Sequence, residues 1–150
     1  MMHTNDPECA FCRIVTGRDR DAREIYRDGE VVAFFPTEPA MLGHTLLIPR
    51  DHVPNIWALS PDLACRLALA TVSLSNAVRR AIAPDGLNVI QSNGRAASQT
   101  VEHLHVHILP RWEGDKIGPI WPRETAYSEG QKDEAWEAIR AECQLLMGDD

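Results

Sequence analysis

Basic residues are in short supply: 15 Lys and Arg against 22 Asp and Glu leave a formal net charge of −7 over 150 residues. A protein that coats a nucleic-acid polymer needs a basic face to displace counterions, so that class is excluded. A small anionic ligand is not, because a pocket can be locally positive inside an acidic chain. No window approaches the ~18 consecutive apolar residues of a membrane span, so no membrane partner is expected. The first residues, Met1-Met2-His3-Thr4-Asn5-Asp6, lack the basic stretch and apolar core of a secretory leader. Cysteine is scarce as well: Cys9, Cys12, Cys65 and Cys143. In a cytoplasmic chain, the expected setting here, the Cys9-x-x-Cys12 pair reads as a metal or redox site rather than a structural disulfide. Repeats and low-complexity tracts are absent. Hydrophobic (44%) and charged (25%) fractions match a soluble globular protein, and the length suits one buried core. A single domain over 1–150 is expected, with a core of about 9–112 and a tail and helix of about 113–147.

Periodicity supplies the elements. Phe11 to Val15 is a short apolar run, ended by Gly17, that suits one or two helical turns. Glu24–Arg27 and Val31–Phe35 read as strands joined at Asp28-Gly29, a hairpin signal. After a proline-punctuated loop, His44–Pro49 reads as a third strand. Ser60-Pro61-Asp62 opens a helix, with Ser60 as cap, Pro61 in the first turn and Asp62 at the positive end of the dipole. Its buried face is expected at Leu63, Leu67, Ala70, Leu74, Ala77 and Ala81. Strands follow at Leu87–Gln91 and His103–Leu109, and Ser128 to Gln131 fits a capping box for a last helix with a buried stripe of Trp136, Ile139, Cys143 and Leu146. Strands, helix, strands, helix with short links make an α+β fold.

Half of the six histidines alternate within Val101-Glu102-His103-Leu104-His105-Val106-His107-Ile108. In a strand, alternate side chains share a face, so the three imidazoles face one way and Leu104, Val106 and Ile108 face the core. Such a face stabilises a sheet poorly, which leaves two chemical readings. One is a metal site, since an H-x-H pair can chelate an ion. The other is a nucleophilic imidazole flanked by two that orient it and handle protons, with phosphorus as its natural target. The preceding loop, Ser92-Asn93-Gly94-Arg95-Ala96-Ala97-Ser98-Gln99-Thr100, is small and polar. Its backbone N–H groups suit an anion, and Gln99 and Thr100 add side chains able to hydrogen-bond an oxyanion.

Three stretches resemble the histidine-triad (HIT) superfamily of nucleotide hydrolases and transferases: Cys9-Ala10-Phe11-Cys12, Gly43-His44-Thr45-Leu46-Leu47-Ile48-Pro49, and Gln99-Thr100-Val101 through to Pro110-Arg111. The resemblance implies an α+β, HIT-like fold with a five-stranded antiparallel sheet, one long central helix and a C-terminal helix. It also implies a homodimer and attack on the α-phosphate of a small nucleotide. By position, His105 would be the nucleophile that carries a transient nucleotidyl group, and His107 would contact the phosphate and help protonate groups around it. Thr100, with the loop containing Ser92, Gly94, Ser98 and Gln99, would hold phosphate oxygens, and His44 and His103 would complete the cluster. Many relatives place an Asp or Asn for the ribose where this chain has Pro36, which moves that contact elsewhere, for example to Glu38. Ser98 stands in place of a small Gly, and Ser92 in place of an Asn or Gln. Relatives that transfer nucleotides to sugar phosphates have Gln in the position of His107, so the third histidine points to hydrolysis.

Resemblance to zinc-bearing bacterial members further implies a structural zinc held by Cys9, Cys12, His52 and His103, with no organic cofactor. Cys143 is expected in the core and Cys65 has no role. Arg111 either lends charge to a polyphosphate or makes a surface ion pair, and Trp112 and Trp121 are expected to pack on the sheet. The implied activity is hydrolysis of a diadenosine polyphosphate or nucleoside phosphoramidate. Its rivals are a nucleotidyl transferase or phosphorylase, and a nucleotide-binding regulatory protein with little turnover.

Overall fold

A computed structural model describes residues 3–148. They fall into one unit that runs to Lys116 and a second that starts at Ile117. In the first, β1 (Arg23–Arg27), β2 (Val31–Phe35), β3 (Thr45–Pro49), β4 (Gly86–Gln91) and β5 (Val106–Arg111) form an antiparallel sheet ordered β1-β2-β3-β5-β4. Two helices accompany it, α1 (Ala10–Val15) and α2 (Pro61–Ile82). This is the expected α+β architecture.

Local chemistry explains the joints. The Asp28 carboxylate accepts from the N–H groups of Glu30 and Val31 at 2.8 and 2.9 Å, which closes the β1–β2 turn. Ser60 caps α2 by accepting from the Leu63 N–H, and Pro61 sits in the first turn. Gly43 has φ +89°, and a Cβ there would run into the Ile82 side chain, so glycine makes the bend that delivers His44 to the start of β3.

Strand alternation divides the core in two. Val31, Ala33, Leu47, Leu104, Val106 and Ile108 face Leu67, Ala70 and Leu74 of α2. Val32, Phe34, Leu46 and Ile48 face Phe11, Ile14 and Val15 of α1. Both faces of β2 and β3 are covered, which is why these strands read as unbroken apolar runs. Register sets His107 opposite Leu46 and Leu46 opposite Phe34, so these three form a cross-strand row on the α1 side.

Three expectations are corrected. The last strand begins at Val106, not His103. Continuing the β3–β5 register past Leu47–Val106 would require Pro49, which has no N–H to give, so the backbone at 103–105 pairs elsewhere. On α2, Ala77 and Ala81 are exposed and the half-buried Val78 packs on the core, so the stripe drifts by one residue at its end. In the second unit, α3 (Glu129–Met147) opens with the expected capping box, Ser128 and Gln131 exchanging hydrogen bonds of 2.9 and 3.2 Å. Its stripe of Trp136, Ile139, Cys143 and Leu146 is exposed rather than buried, and so is Trp121. Helical period tells which residues share a face but not what covers it.

Candidate active site

Alternation of faces persists through the residues before β5. Leu104 goes to the α2 core, and His103 and His105 turn to the α1 side, where the Phe11 ring meets both edge-on at centroid distances of 5.9 and 5.3 Å. His103 and His105 are buried, and His107 is half-buried. His44 joins them, with Nε2 2.9 Å from His107 Nδ1 and its ring stacked on that of His107.

Backbone partners fix where the protons sit on neutral rings. A carbonyl can only accept and a backbone N–H can only donate. His105 Nδ1 lies 2.8 Å from the His103 carbonyl oxygen, so Nδ1 carries the proton and Nε2 is left with a free lone pair. The Ala40 N–H donates to His44 Nδ1 at 3.1 Å, which places the His44 proton on Nε2, aimed at His107 Nδ1. His107 therefore keeps its own proton on Nε2. The result is one bare nitrogen on His105 beside one N–H donor on His107, their rings 4.9 Å apart.

Burial keeps His44 and His107 uncharged. Desolvation, with the charges of His105 and His44 adding to it, pulls His107 down to about 4. His44 is lowered as well, by burial first and by His105 second. At neutral pH both rings are neutral, the form in which an imidazole can both accept and donate a proton.

These rings open into a cleft of about 580 Å³. His105, His107, His44 and Thr100 line one end, and Phe11, Ile14, Phe34, Leu46 and Val101 supply apolar walls. Pro36, Thr37 and Glu38 lie on its wall, so the place of the missing ribose carboxylate is in the cleft with Glu38 two residues on. Ser92, Gly94, Ser98 and Gln99 do not line it. The Gln99 side chain is committed to holding its loop: Oε1 accepts from the Gly94 N–H at 2.8 Å, and Nε2 donates to the carbonyls of Pro54 and Val101 at 2.7 and 3.0 Å. Ser98 has φ +67°, a backbone form that explains why glycine is the easier residue there. Arg111 is tied to Asp115 at 2.6 and 2.9 Å and to Asn88 at 2.8 Å, the ion-pair alternative of its two readings. The apolar walls and the Asp19–Arg23 segment on the cleft had no signal in sequence beyond ordinary core and loop composition.

On the other side of His103, Cys9, Cys12, His52 and His103 converge, their ligand atoms all within 4.8 Å of one another. Cys12 Sγ is 3.3 Å from His52 Nδ1 and 3.5 Å from His103 Nδ1, and Cys9 Sγ is 3.6 Å from His103 Nδ1. The edge between S and N in a tetrahedral zinc site is about 3.6 Å from the usual bond lengths, so the donor set fits such an ion. His103 Nε2 donates to the Pro49 carbonyl at 2.8 Å, which leaves Nδ1 as the ligating atom and supplies the outer hydrogen bond typical of metal-bound imidazole. Burial pushes the Cys12 thiol up to about 11, against the Asp6 N–H that donates to its sulfur at 3.4 Å, with Cys9 adding to the rise. Thiolates in that pocket call for a cation. The four residues can hold a metal ion, and His103 serves the histidine cluster through its carbonyl while its ring belongs to the metal cluster.

The HIT domain family matches residues 18–114. Protein hit of Bacillus subtilis is 38% identical over 114 residues, covering 75% of this chain and 78% of that protein. The adenosine 5′-monophosphoramidase of Schizosaccharomyces pombe is 37% identical over 115 residues, covering 76% and 83%. The crystal structure of a Zn-bound histidine triad family protein from Mycobacterium smegmatis superposes with a TM-score of 0.68 at 30% identity, covering 95% and 98%.

The buried, neutral rings set a pH dependence. His107 has an ordinary value of 6.5 and a folded value of about 4. Above about pH 6.5 neither folded nor unfolded chain protonates this ring, and stability is at its full value. As pH falls toward 4, the unfolded chain takes up a proton that the folded chain refuses, so stability is lost across that window, at about 1.4 kcal/mol per unit of difference. Histidine-selective NMR should show His107 neutral at pH 5.5, with urea unfolding midpoints falling between pH 6.5 and 4. Titration of His107 near 6.5 would contradict this.

Proposed function

This chain belongs to the HIT domain family, and we propose that it is a nucleotide phosphohydrolase that cleaves at the α-phosphate through a nucleotidyl intermediate on His105. The observation that carries the reading is the hydrogen bond from His105 Nδ1–H to the His103 carbonyl, which bares Nε2 in the cleft. The phosphoramidase name of the fission-yeast relative supports a nucleoside phosphoramidate or related conjugate as the substrate class.

In the first step Nε2 attacks phosphorus, an N–P bond forms, and the bond to the leaving group breaks with its electron pair. The leaving group takes the proton of His107 Nε2, and the hydrogen bond from His44 Nε2–H to His107 Nδ1 stabilises the ring until the second step returns a proton to Nε2. Positive charge that builds on the His105 ring is stabilised by the His103 carbonyl dipole. In the second step water attacks phosphorus, the N–P bond breaks, the nucleoside monophosphate leaves, and the proton that water loses restores His107. Thr100 and neighbouring backbone N–H groups are the donors for phosphate oxygens. Phe11, Ile14, Phe34 and Leu46 hold the base by its faces, and Glu38 is the candidate acceptor for ribose hydroxyls.

Zinc at Cys9, Cys12, His52 and His103 is proposed as structural. It would tie the N-terminal segment to the residues before β5 and so hold the His103 carbonyl in place. Residues 3–4 are stitched to the same region through Asp51, which accepts from the Thr4 N–H at 2.9 Å, and through the His52 N–H to the Thr4 carbonyl at 2.8 Å. A homodimer is proposed as well: β4 is a sheet edge with an exposed Val89, and α2 carries exposed Leu69 and Val72. Among the described residues no helix is long and apolar enough to cross a membrane.

His105→Ala should lower kcat/KM on an adenosine phosphoramidate by about 10³-fold or more, as loss of a nucleophile does elsewhere, with an unchanged circular dichroism spectrum and melting temperature. Near-normal turnover would refute the mechanism. For the metal, elemental analysis of the purified protein should find one zinc per chain. Cys12→Ser should lose it and melt several degrees lower; a metal-free wild type with the same melting temperature as the variant would refute the zinc assignment.

A further inference from the structure

Cys9 and Cys12, given to zinc in the reading on which this inference rests together with the hydrolase reading, stand one turn apart at the start of α1. The Arg13 N–H donates to the Cys9 carbonyl at 3.1 Å, which brings Cys9 into the first helical turn. Residues three apart on such a turn have Cα atoms roughly 5 Å apart, inside the span of a disulfide. The two sulfurs lie 3.6 and 3.5 Å from the same His103 nitrogen and within 4.8 Å of each other. Both have a route to solvent: Cys9 is half-buried, and the buried Cys12 lines a hollow of about 200 Å³ with Asn5, Asp6, Pro7 and Thr16. The C-x-x-C spacing therefore keeps its redox meaning beside its metal-binding one.

Between the two cysteines stands Phe11, whose ring lines the cleft and meets His103 and His105 edge-on at 5.9 and 5.3 Å. Drawing the sulfurs to a bond of about 2.05 Å moves the turn that carries Phe11, and with it the surface on which the His105 ring rests. A disulfide sulfur is no thiolate ligand, so only His52 and His103 of the four donors are left. We propose that Cys9 and Cys12 are a redox-modification site, where hydrogen peroxide closes a disulfide that empties the metal cluster and disturbs the seat of His105. Cys9, the more exposed, reacts first. Its sulfur attacks one peroxide oxygen, the O–O bond breaks, and Cys9 becomes S–OH as a water leaves. The Cys12 sulfur then attacks the Cys9 sulfur; the S–S bond forms, the S–O bond breaks and a second water leaves. The sulfurs give up two electrons, the peroxide is reduced to two waters, and the two protons come from the thiols, or from solvent where the sulfurs are thiolates. A dithiol reductant reverses the change by exchange.

The test uses the full chain, reduced and loaded with zinc, with the exposed thiols removed by Cys65→Ser and Cys143→Ser. After addition of hydrogen peroxide it follows the disulfide by peptide mass mapping, zinc release with a chromogenic chelator, the His105 ring by NMR, and kcat/KM on adenosine 5′-phosphoramidate. One Cys9–Cys12 disulfide should form per zinc released, the His105 resonances should shift, and kcat/KM should fall by about 10-fold or more. Dithiothreitol with zinc should restore all of them. Zinc retained with both thiols free, sulfinic acids in place of the disulfide, or a disulfide that leaves the His105 resonances and kcat/KM unchanged overturns the inference. Reduced protein that takes up no zinc overturns the zinc assignment and this inference together. Reduced, zinc-loaded protein without turnover refutes the hydrolase reading alone, and the disulfide, the zinc release and the His105 resonances then decide the modification site.

Discussion

A hydrogen bond of 2.8 Å runs from the His105 imidazole to the carbonyl of the residue two before it, and the chemistry of the cleft depends on it. In the sheet ladder that carbonyl would accept from a strand N–H. It is available to a side chain because the β3–β5 ladder ends at the Leu47–Val106 pair and does not reach it; two residues further the register would set Pro49, which has no N–H, opposite Leu104. Pro49 then offers its own carbonyl to His103 Nε2. Two carbonyls beyond the end of the β3–β5 ladder thus orient two imidazoles: the His105 ring presents a bare nitrogen to the cleft, and the His103 ring presents one to the cysteines.

The same division organises the molecule at larger scale. Leu104, Val106 and Ile108 anchor the segment in the α2 core while the alternate residues work on the other side. The metal cluster and the cleft share His103 but use different parts of it, ring for one and backbone for the other. Loss of the residues able to hold a metal is therefore expected to reach the proposed nucleophile, His105, through a carbonyl position. Burial reinforces the arrangement, since low-dielectric surroundings keep His44 and His107 neutral and fit to pass a proton.

Much of this was legible in the residues themselves. Strand positions, the Ser60 cap, the α3 capping box and the alternation of histidines follow from short-range patterns, whereas the four-ligand cluster was implied by the family resemblance. What escaped depended on long-range partners. The ladder stops at Val106 because of a proline 57 positions earlier. Gln99 looked like an anion ligand, and the Gly94, Pro54 and Val101 backbone claims its amide instead. Ala77 and Val78 differ by one step on a helix, a difference that period alone resolves poorly near an end. The α3 stripe has the right spacing for burial, yet spacing carries no information about a covering surface. The Asp19–Arg23 segment reads as a charged loop until the sheet order sets it at the far end of the cleft from His105.

The central claim is that phosphorus passes through a covalent bond to His105. The stereochemical course at phosphorus tests it most directly, using a substrate of known configuration at a chiral α-phosphorothioate hydrolysed in heavy-oxygen water. Two in-line displacements each invert the centre, so the account predicts net retention. Net inversion would mean that water attacks the substrate in one step, and would contradict a nucleotidyl-histidine intermediate.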